Sequence, residues 1–413
     1  MSISFPHKTR DKLGQALLEA LRDCEVFSGS FVSLNAKCWT LHEAIPLGCR
    51  PEQALRLIAG DRHIADFVRS EISRNPPGKW DMKVKTTTLG LLLGEDGCKS
   101  LSERLIAGLE SLPWSYKFYS EMAGEFLVAN LGAGGELSLT PKLRLVSGAK
   151  LNEDLPGVGA FTQLSAAPGT NNHAGWTSDS IYVELLLNGF VAKDLESETI
   201  QDANDYLFSF YGLAIALKLM EFGNAWCNIR PPAVYKLKIF RDLDDSVSQV
   251  AQLDFDPSHA KVMHDLGVPR LWRGSNKPDE FCAAAAGVSR ALLNANQRVL
   301  NAARWFFDSH SGSNLQVRFV QIATAFEILL GDREQSRETG LGTLMANRCA
   351  YMLGKNDSSR QKICDAFKAG YGIRSTIVHT GKTRLSSADL GHFYYMQELC
   401  AAVIRKECSD FLS

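Results

Sequence analysis

Two residues near the C-terminus carry side chains suited to phosphate chemistry. The segment YGIRSTIVHTGKT, residues 371–383, places Arg374 and His379 five positions apart in a short apolar run. A guanidinium can hold phosphate oxygens through two N–H groups at once, and an imidazole can carry a proton near neutral pH. The two residues are therefore either polar side chains on the exposed surface of a packed helix or half of a site that cleaves RNA without a metal.

The five-residue spacing decides how the two side chains can meet. On an α-helix, such positions lie about 140° apart around the axis and about 7.5 Å apart along it. Arg374 and His379 converge on one phosphate only if the arginine reaches back or if a second copy of the helix faces the first. Two copies near a twofold axis would bring two arginines and two histidines into one cleft. Ile373 and Ile377, at i and i+4, predict an apolar stripe that holds the segment against its neighbours.

The helices that would position this pair follow one another from about Asn276. The patterns predict one long helix over residues 278–310, a second over 314–331, a third over 340–354, a fourth over 358–370, a fifth that starts at Tyr371, and a last one over 386–412. Short loops between such helices indicate an antiparallel bundle.

The sequence before residue 276 has a different pattern of apolar and polar residues. The first ~110 residues look mostly helical, with Leu13, Leu17 and Leu21 on one stripe and with Pro51 opening a single helix that ends near Ser73. Alternating apolar residues in GELSLTPKLRLVSG, SIYVELLLNGF and VYKLKIF predict strands, and ESETIQDANDYLFSFYGLAIALKLMEF predicts a helix between them. We therefore predict an α+β multidomain protein, with a helical region at 1–114, a mixed α/β sensor or regulatory domain at 115–270, and an all-α bundle at 276–413.

Composition narrows the class of protein. The chain has 413 residues, of which 45% are apolar and 22% charged, as in ordinary soluble proteins. No run reaches the ~20 apolar residues that a membrane span needs, and the N-terminus lacks the apolar core of a signal peptide. None of the ten cysteines lies in a C-x-x-C pair. We expect a cytoplasmic protein with reduced thiols, no membrane association, no metal site and no cofactor.

Charge is unevenly distributed along the chain. Residues 281–413 carry 16 Lys and Arg against 11 Asp and Glu, whereas the whole chain has a net charge of −1. A mildly basic C-terminal third suits a polyanionic ligand without requiring one.

Three ordered segments carry a resemblance to a known family. They read ATAFEILLG, MANRCAYML and YGIRSTIVH, and the last contains the R-x4-H pair. In this order they resemble the HEPN superfamily, and in particular the ApeA-like HEPN domains of bacterial antiphage defence. The resemblance covers residues 280–413. Three positions of this sequence differ from many relatives. Thr380 separates the histidine from Gly381, whereas in those relatives a glycine follows the histidine directly. Gly372 stands where an acidic residue is common, and Ser375 stands where Asn or Asp often follows the arginine.

The resemblance implies a role for each matched residue. RNA is cleaved when the ribose 2′-OH attacks the adjacent phosphate, which needs a base, an acid and a cation for the phosphorane oxygens. His379 is the candidate for general acid–base work and Arg374 for charge stabilisation. Tyr371 and Ser375, which flank the arginine within the motif, are candidate supporting residues.

Glu327 is a further supporting candidate. It lies between Phe326 and Ile328 on an apolar helix, so we expect it to be partly buried, and a buried carboxylate needs a partner. If the partner is Arg374, the carboxylate orients the guanidinium of the site. If the partner is Arg348, the pair is a structural brace.

The resemblance also implies partners and a biological setting. The substrate would be host RNA, with tRNA as one candidate, and a homodimer formed through the bundle would complete the site. A phage-derived trigger would act on the N-terminal region in an abortive response to infection. The alternative is a non-catalytic HEPN-like protein whose bundle only dimerises or binds a nucleotide.

Overall fold

The computed structural model of the chain describes residues 3–27, 31–60, 62–74, 86–122, 130–132, 134–155, 176–192, 197–222, 235–243, 246–269, 278–312, 314–332, 334–382 and 384–412. Within these residues, the strands lie before residue 268 and the C-terminal third is helical. The protein is therefore α+β, with mixed structure in the N-terminal and middle regions and helices at the C-terminal end. Of the helices described, none is long and apolar enough to cross a membrane.

The N-terminal region combines helices with a small sheet. Its elements are α1 (His7–Arg22), β1 (Glu25–Phe27), β2 (Phe31–Ser33), α2 (Ala36–Trp39), α3 (Arg50–Ala59), α4 (His63–Arg74), β3 (Thr86–Thr88) and α5 (Leu89–Glu110). The three strands form an antiparallel sheet in the order β2-β1-β3. The predicted stripe of Leu13, Leu17 and Leu21 is fully buried.

The region is mostly helical, as the sequence predicts, but it differs from the prediction in two details. The small sheet was not predicted, because three-residue strands are too short to show an alternating pattern. The single helix expected after Pro51 is two helices. Gly60 separates them with φ 75° and ψ −171°, a conformation that glycine adopts without steric cost and that ends a helix.

A six-stranded sheet organises the middle of the chain. Its strands have the spatial order β10-β9-β4-β7-β6-β5. Strands β5, β6 and β7 are antiparallel, with Leu145 opposite both Leu137 and Val183. The elements of this part are β4 (Trp114–Met122), β5 (Glu136–Thr140), β6 (Leu143–Ser147), α6 (Gly148–Asp154), β7 (Ile181–Gly189), α7 (Glu198–Ala216), β8 (Glu221–Phe222), β9 (Lys236–Leu243), β10 (Ser246–Asp254), α8 (Pro257–Asp265) and β11 (Leu266–Gly267).

The C-terminal helices pack around one central helix, which is α15. They are α9 (Pro278–Asn294), α10 (Gln297–Asp308), α11 (Leu315–Leu330), α12 (Ser336–Thr339), α13 (Leu341–Leu353), α14 (Asp357–Thr380), α15 (Ser387–Glu407) and α16 (Ser409–Leu412). Helix α10 packs on α11 and α13 on α14, and α15 contacts all four. Apolar side chains fill the space between them, including Phe326 of α11, Phe367 of α14 and Met396 of α15.

Several helix boundaries differ from the sequence prediction, two of them among the helices that carry or precede the candidate site. The long helix expected over 278–310 is interrupted at Asn296, whose side chain accepts a hydrogen bond from the Val299 N–H and so caps the start of α10. The expected fourth and fifth helices are one helix, α14. Gly370 does not end it, because the glycine is buried against Met396: a Cβ at 370 would lie 2.7 Å from the Met396 Cγ.

The chain forms two compact units, neither of which is a continuous segment. One comprises Met1–Phe118, Leu186–Ala203 and Lys238–Gln252, and the other comprises Tyr119–Leu185, Asn204–Leu237 and Leu253–Ser413. The second unit contains all the C-terminal helices. The division into consecutive domains at 1–114, 115–270 and 276–413 stays a prediction.

Candidate active site on the C-terminal helices

Arg374 is held by an ion pair between two helices. It lies on α14, one turn after the buried Gly370, and its Nη2 is 3.0 Å from Oε1 of Glu327 on α11. The two side chains are only 21% and 26% exposed. Since water screens such a half-buried pair less than a surface pair, the carboxylate restricts where the guanidinium can lie.

Tyr371 donates to the same carboxylate oxygen. Its hydroxyl is 2.9 Å from Oε1 of Glu327, and its ring lies 5.6 Å from the Arg374 guanidinium carbon. Burial, together with the hydrogen bond to Glu327, raises the pKa of Tyr371 to about 12. The tyrosine therefore remains a donor at physiological pH, and Glu327 contacts one side chain on each of two successive turns of α14.

A glycine on α13 makes room for the tyrosine ring. A Cβ atom at Gly342 would lie 2.8 Å from Cδ1 and 3.2 Å from Cε1 of Tyr371. On its own helix, the ring is nearly parallel to that of Phe367, with centroids 6.3 Å apart. Sequence reasoning missed Gly342, because only the packing of α13 on α14 shows which residue the glycine faces.

Arg348 does not pair with Glu327. Its Nη1 donates to the Leu330 carbonyl at 2.7 Å, and its Nη2 donates to the Gln335 side chain at 2.8 Å and lies 3.4 Å from Asp332. These contacts close the C-terminal end of α11 and the turn after it. Of the two partners considered for Glu327, the structure selects Arg374, and Arg348 braces a helix end instead.

His379 lies on the opposite side of α14 from the anchored arginine. It is exposed, in the last turn of the helix, and no described residue forms a hydrogen bond or ion pair with it. Helix α14 ends directly afterwards, where Gly381 adopts φ 65° and ψ 32°. Because Arg374 faces the bundle and His379 faces solvent, one chain alone does not bring the two side chains together.

The remaining residues predicted for this segment make fewer contacts with the neighbouring helices. Ser375 is half-buried beside Arg374, with no hydrogen bond from its side chain to the described residues. Ile373 and Ile377 are also only half-buried, so the expected apolar stripe is not the main contact of the helix. The buried face consists of Cys364, Phe367 and Gly370.

The arrangement leaves the arginine able to bind an anion. Its Nη2 lies beside the Glu327 carboxylate, and its Nε is buried without a hydrogen-bond partner in the described structure. A guanidinium oriented through one edge can still present N–H groups to phosphate oxygens. None of the described residues forms a cluster of three or more His, Cys, Asp or Glu side chains suited to a metal ion.

Comparison with protein-family models, with curated proteins and with solved structures finds no match for this chain.

Proposed function

We propose that the C-terminal helices form a HEPN-like endoribonuclease that cleaves RNA without a metal. The observation that carries the proposal is the anchored Arg374, oriented by Glu327 and Tyr371, five residues before an exposed histidine on the same helix. The ordered motif segments fall on α11, α13 and α14, which pack on one another. The basic balance of the C-terminal third suits an RNA substrate.

The proposed site is completed by a second copy of the chain. One copy presents Arg374 and His379 on different sides of α14, so a cleft with two arginines and two histidines requires two such helices near a twofold axis. One His379 then removes the proton of the 2′-OH while the other protonates the 5′ oxygen. The O2′–P bond forms, the P–O5′ bond breaks, and the products carry a 2′,3′-cyclic phosphate and a 5′-hydroxyl. Arg374 binds the phosphorane oxygens, on which negative charge increases.

The proposed setting is cytoplasmic defence of a bacterium against phage. Degradation of tRNA or other host RNA would stop growth of an infected cell, and a toxic nuclease requires restraint until a trigger arrives. We assign that restraint to the region before residue 276, with a phage-derived trigger as its partner.

The decisive experiment compares matched variants. His379→Ala should reduce RNA cleavage by roughly 10²–10⁴-fold, and Arg374→Ala by about 10²–10³-fold. His7→Ala on α1 and Arg337→Ala on α12 remove the same side chains at exposed positions outside the three motif segments and should leave cleavage unchanged. Growth and RNA integrity are measured with and without phage. Cleavage of the purified RNA should require the 2′-OH at the cleaved nucleotide.

The outcome separates the nuclease from a non-catalytic protein. A bundle that only dimerises or binds a nucleotide is favoured by one observation: Arg374 already has a carboxylate partner and faces away from His379. If the wild type, the two site variants and the two controls fold equally well and act alike on RNA, the nuclease proposal fails. If mass measurement under cleaving conditions finds only monomer, the shared cleft fails.

A further inference from the structure

A cavity in the first compact unit has the features of a small-molecule site. Its volume is about 440 Å³, and it is lined by Cys38, Trp39, His42, Arg62, Ile64 and Ala65. Ligand sites in proteins commonly measure about 300–1,000 Å³ and combine apolar walls with a few polar groups. We call this space the Trp39 cavity.

Helix caps and backbone hydrogen bonds position the walls of the Trp39 cavity. The Asn35 side chain caps α2 by accepting from the Cys38 N–H at 3.2 Å, which places Cys38 and Trp39 at the end of a single helical turn. Arg62 immediately precedes α4, where its carbonyl accepts from the Asp66 N–H at 3.1 Å. Ile64 and Ala65, almost fully buried, supply the apolar wall.

Trp39 offers an aromatic surface that the described structure leaves partly open. Trp39 is 40% exposed, and the guanidinium carbon of Arg62 lies 5.7 Å from the centre of its ring. Arg62 itself is exposed and forms no ion pair with any described carboxylate. An aromatic plane beside an unpaired guanidinium can stack a planar ring and bind its negative charge at the same time.

His42 adds a second polar group to the cavity. Its Nδ1 is 3.1 Å from the Trp39 carbonyl, which can only accept, so Nδ1 carries the proton and donates. Nε2 is then the ring nitrogen without a described partner. It can accept from a hydroxyl or amine when the ring is neutral, and donate to an oxyanion when the ring is protonated.

The charge of the lining indicates the class of ligand. Among the six described lining residues none is acidic, whereas one is a permanent cation. We propose that the Trp39 cavity binds a planar aromatic molecule that carries an anionic group and is no larger than a mononucleotide. The ring stacks on Trp39, the anion pairs with Arg62, and His42 contacts a polar atom of the ligand. This site is independent of the proposed nuclease and would give the N-terminal region a ligand to sense.

Calorimetric titration of the full chain tests the proposal. The probes are adenosine 5′-monophosphate, uridine 5′-monophosphate and benzoate as aromatic anions, adenosine as a ring without charge, and inorganic phosphate as charge without a ring. At constant ionic strength, at least one aromatic anion should bind saturably and more tightly than adenosine or phosphate. Trp39→Ala should weaken that binding by about 5–150-fold, the range for loss of one stacked base.

Matched variants distinguish a loss of ligand binding from a loss of folding. Trp39→Phe keeps an aromatic plane and should retain most of the affinity. Arg62→Gln removes the cation and should weaken binding about tenfold or more. Arg50→Gln, at an exposed position of the same unit outside the cavity lining, makes the same change of charge and should have no effect.

Three results would overturn the inference. One is the absence of saturable binding of every aromatic anion up to about 10 mM, well above the ~1 mM range of weak specific binding. Another is binding that Trp39→Ala, Arg62→Gln and Arg50→Gln all leave unchanged, which would place the ligand elsewhere. A third is adenosine binding as tightly as its monophosphate with phosphate alone inert, which would remove the role assigned to Arg62.

Discussion

Glu327 and Arg374 are joined by an ion pair of 3.0 Å that links α11 to α14, and the same carboxylate oxygen accepts the Tyr371 hydroxyl. One acidic residue thereby sets the position of two side chains on successive turns of α14. The pair is half-buried, so its strength should lie between that of a surface salt bridge and that of a fully buried one.

Glu327→Gln should weaken both the fold and the proposed reaction. The amide keeps the shape of the side chain but removes the charge that pairs with Arg374, which should cost about 1–2 kcal/mol of unfolding free energy. Cleavage should fall by up to about 10²-fold, because the guanidinium is no longer held in place. Urea unfolding followed by circular dichroism and an RNA-cleavage assay measure the two effects. Glu334→Gln, at an exposed position, is the control, and equal behaviour of the two variants would contradict the prediction.

Arg348→Ala should lower the free energy of unfolding without changing the proposed cleavage reaction. It removes the donor to the Leu330 carbonyl at the end of α11, a loss of about 1–2 kcal/mol. Cleavage per folded molecule should be unchanged, because Arg348 makes no contact with Glu327. Thermal unfolding and cleavage rates check this. A variant that keeps its stability but loses cleavage would instead make Arg348 part of the reaction site.

Two glycine substitutions should act in opposite directions. In Gly342→Ala the new methyl group would meet the Tyr371 ring at 2.8 Å, and such overpacking typically costs about 1–3 kcal/mol. In Gly372→Ala the methyl group would meet nothing within 4 Å, and alanine should stabilise the helix by about 0.5–1 kcal/mol. Thermal unfolding of both variants tests the difference, and a stabilised Gly342→Ala would show that the ring does not pack there.

Tyr371 should titrate at unusually high pH. Its pKa is raised to about 12, above the value of about 10 for an unfolded chain. The stability that its hydroxyl contributes is therefore complete below pH 10 and is lost as pH rises through about 12. Tyrosinate absorbance of the wild type and of Tyr371→Phe should differ by one group ionising near pH 12. A difference centred near pH 10 would mean that the hydroxyl is solvated and not bonded to Glu327.

Chelation should leave the proposed cleavage intact. In the proposed reaction, histidine moves the protons and arginine stabilises the charge, so no step depends on a metal ion. EDTA at a concentration above that of all divalent ions should change the cleavage rate little. Adding Mg²⁺ back provides the control for RNA folding. Full inhibition by EDTA, reversed by a metal ion, would contradict the mechanism.

The sequence pattern predicted burial correctly where all the residues concerned belong to a single helix. Leu13, Leu17 and Leu21 form the buried stripe of α1, and Glu327 is partly buried, as its apolar neighbours indicated. Helix continuity was less predictable. Gly370 looked like a helix end, but its missing side chain accommodates Met396, a residue 26 positions away that no local pattern brings into view.

The sequence by itself determined that the C-terminal third is helical and that Arg374 and His379 lie about 140° apart on one helix, because the 3.6-residue period depends only on local backbone geometry. Only the tertiary structure decided which arginine the Glu327 carboxylate binds. That choice depends on how α11, α13 and α14 pack, and the packing brings together residues 44 positions apart or more whose spacing in the chain carries no local signal.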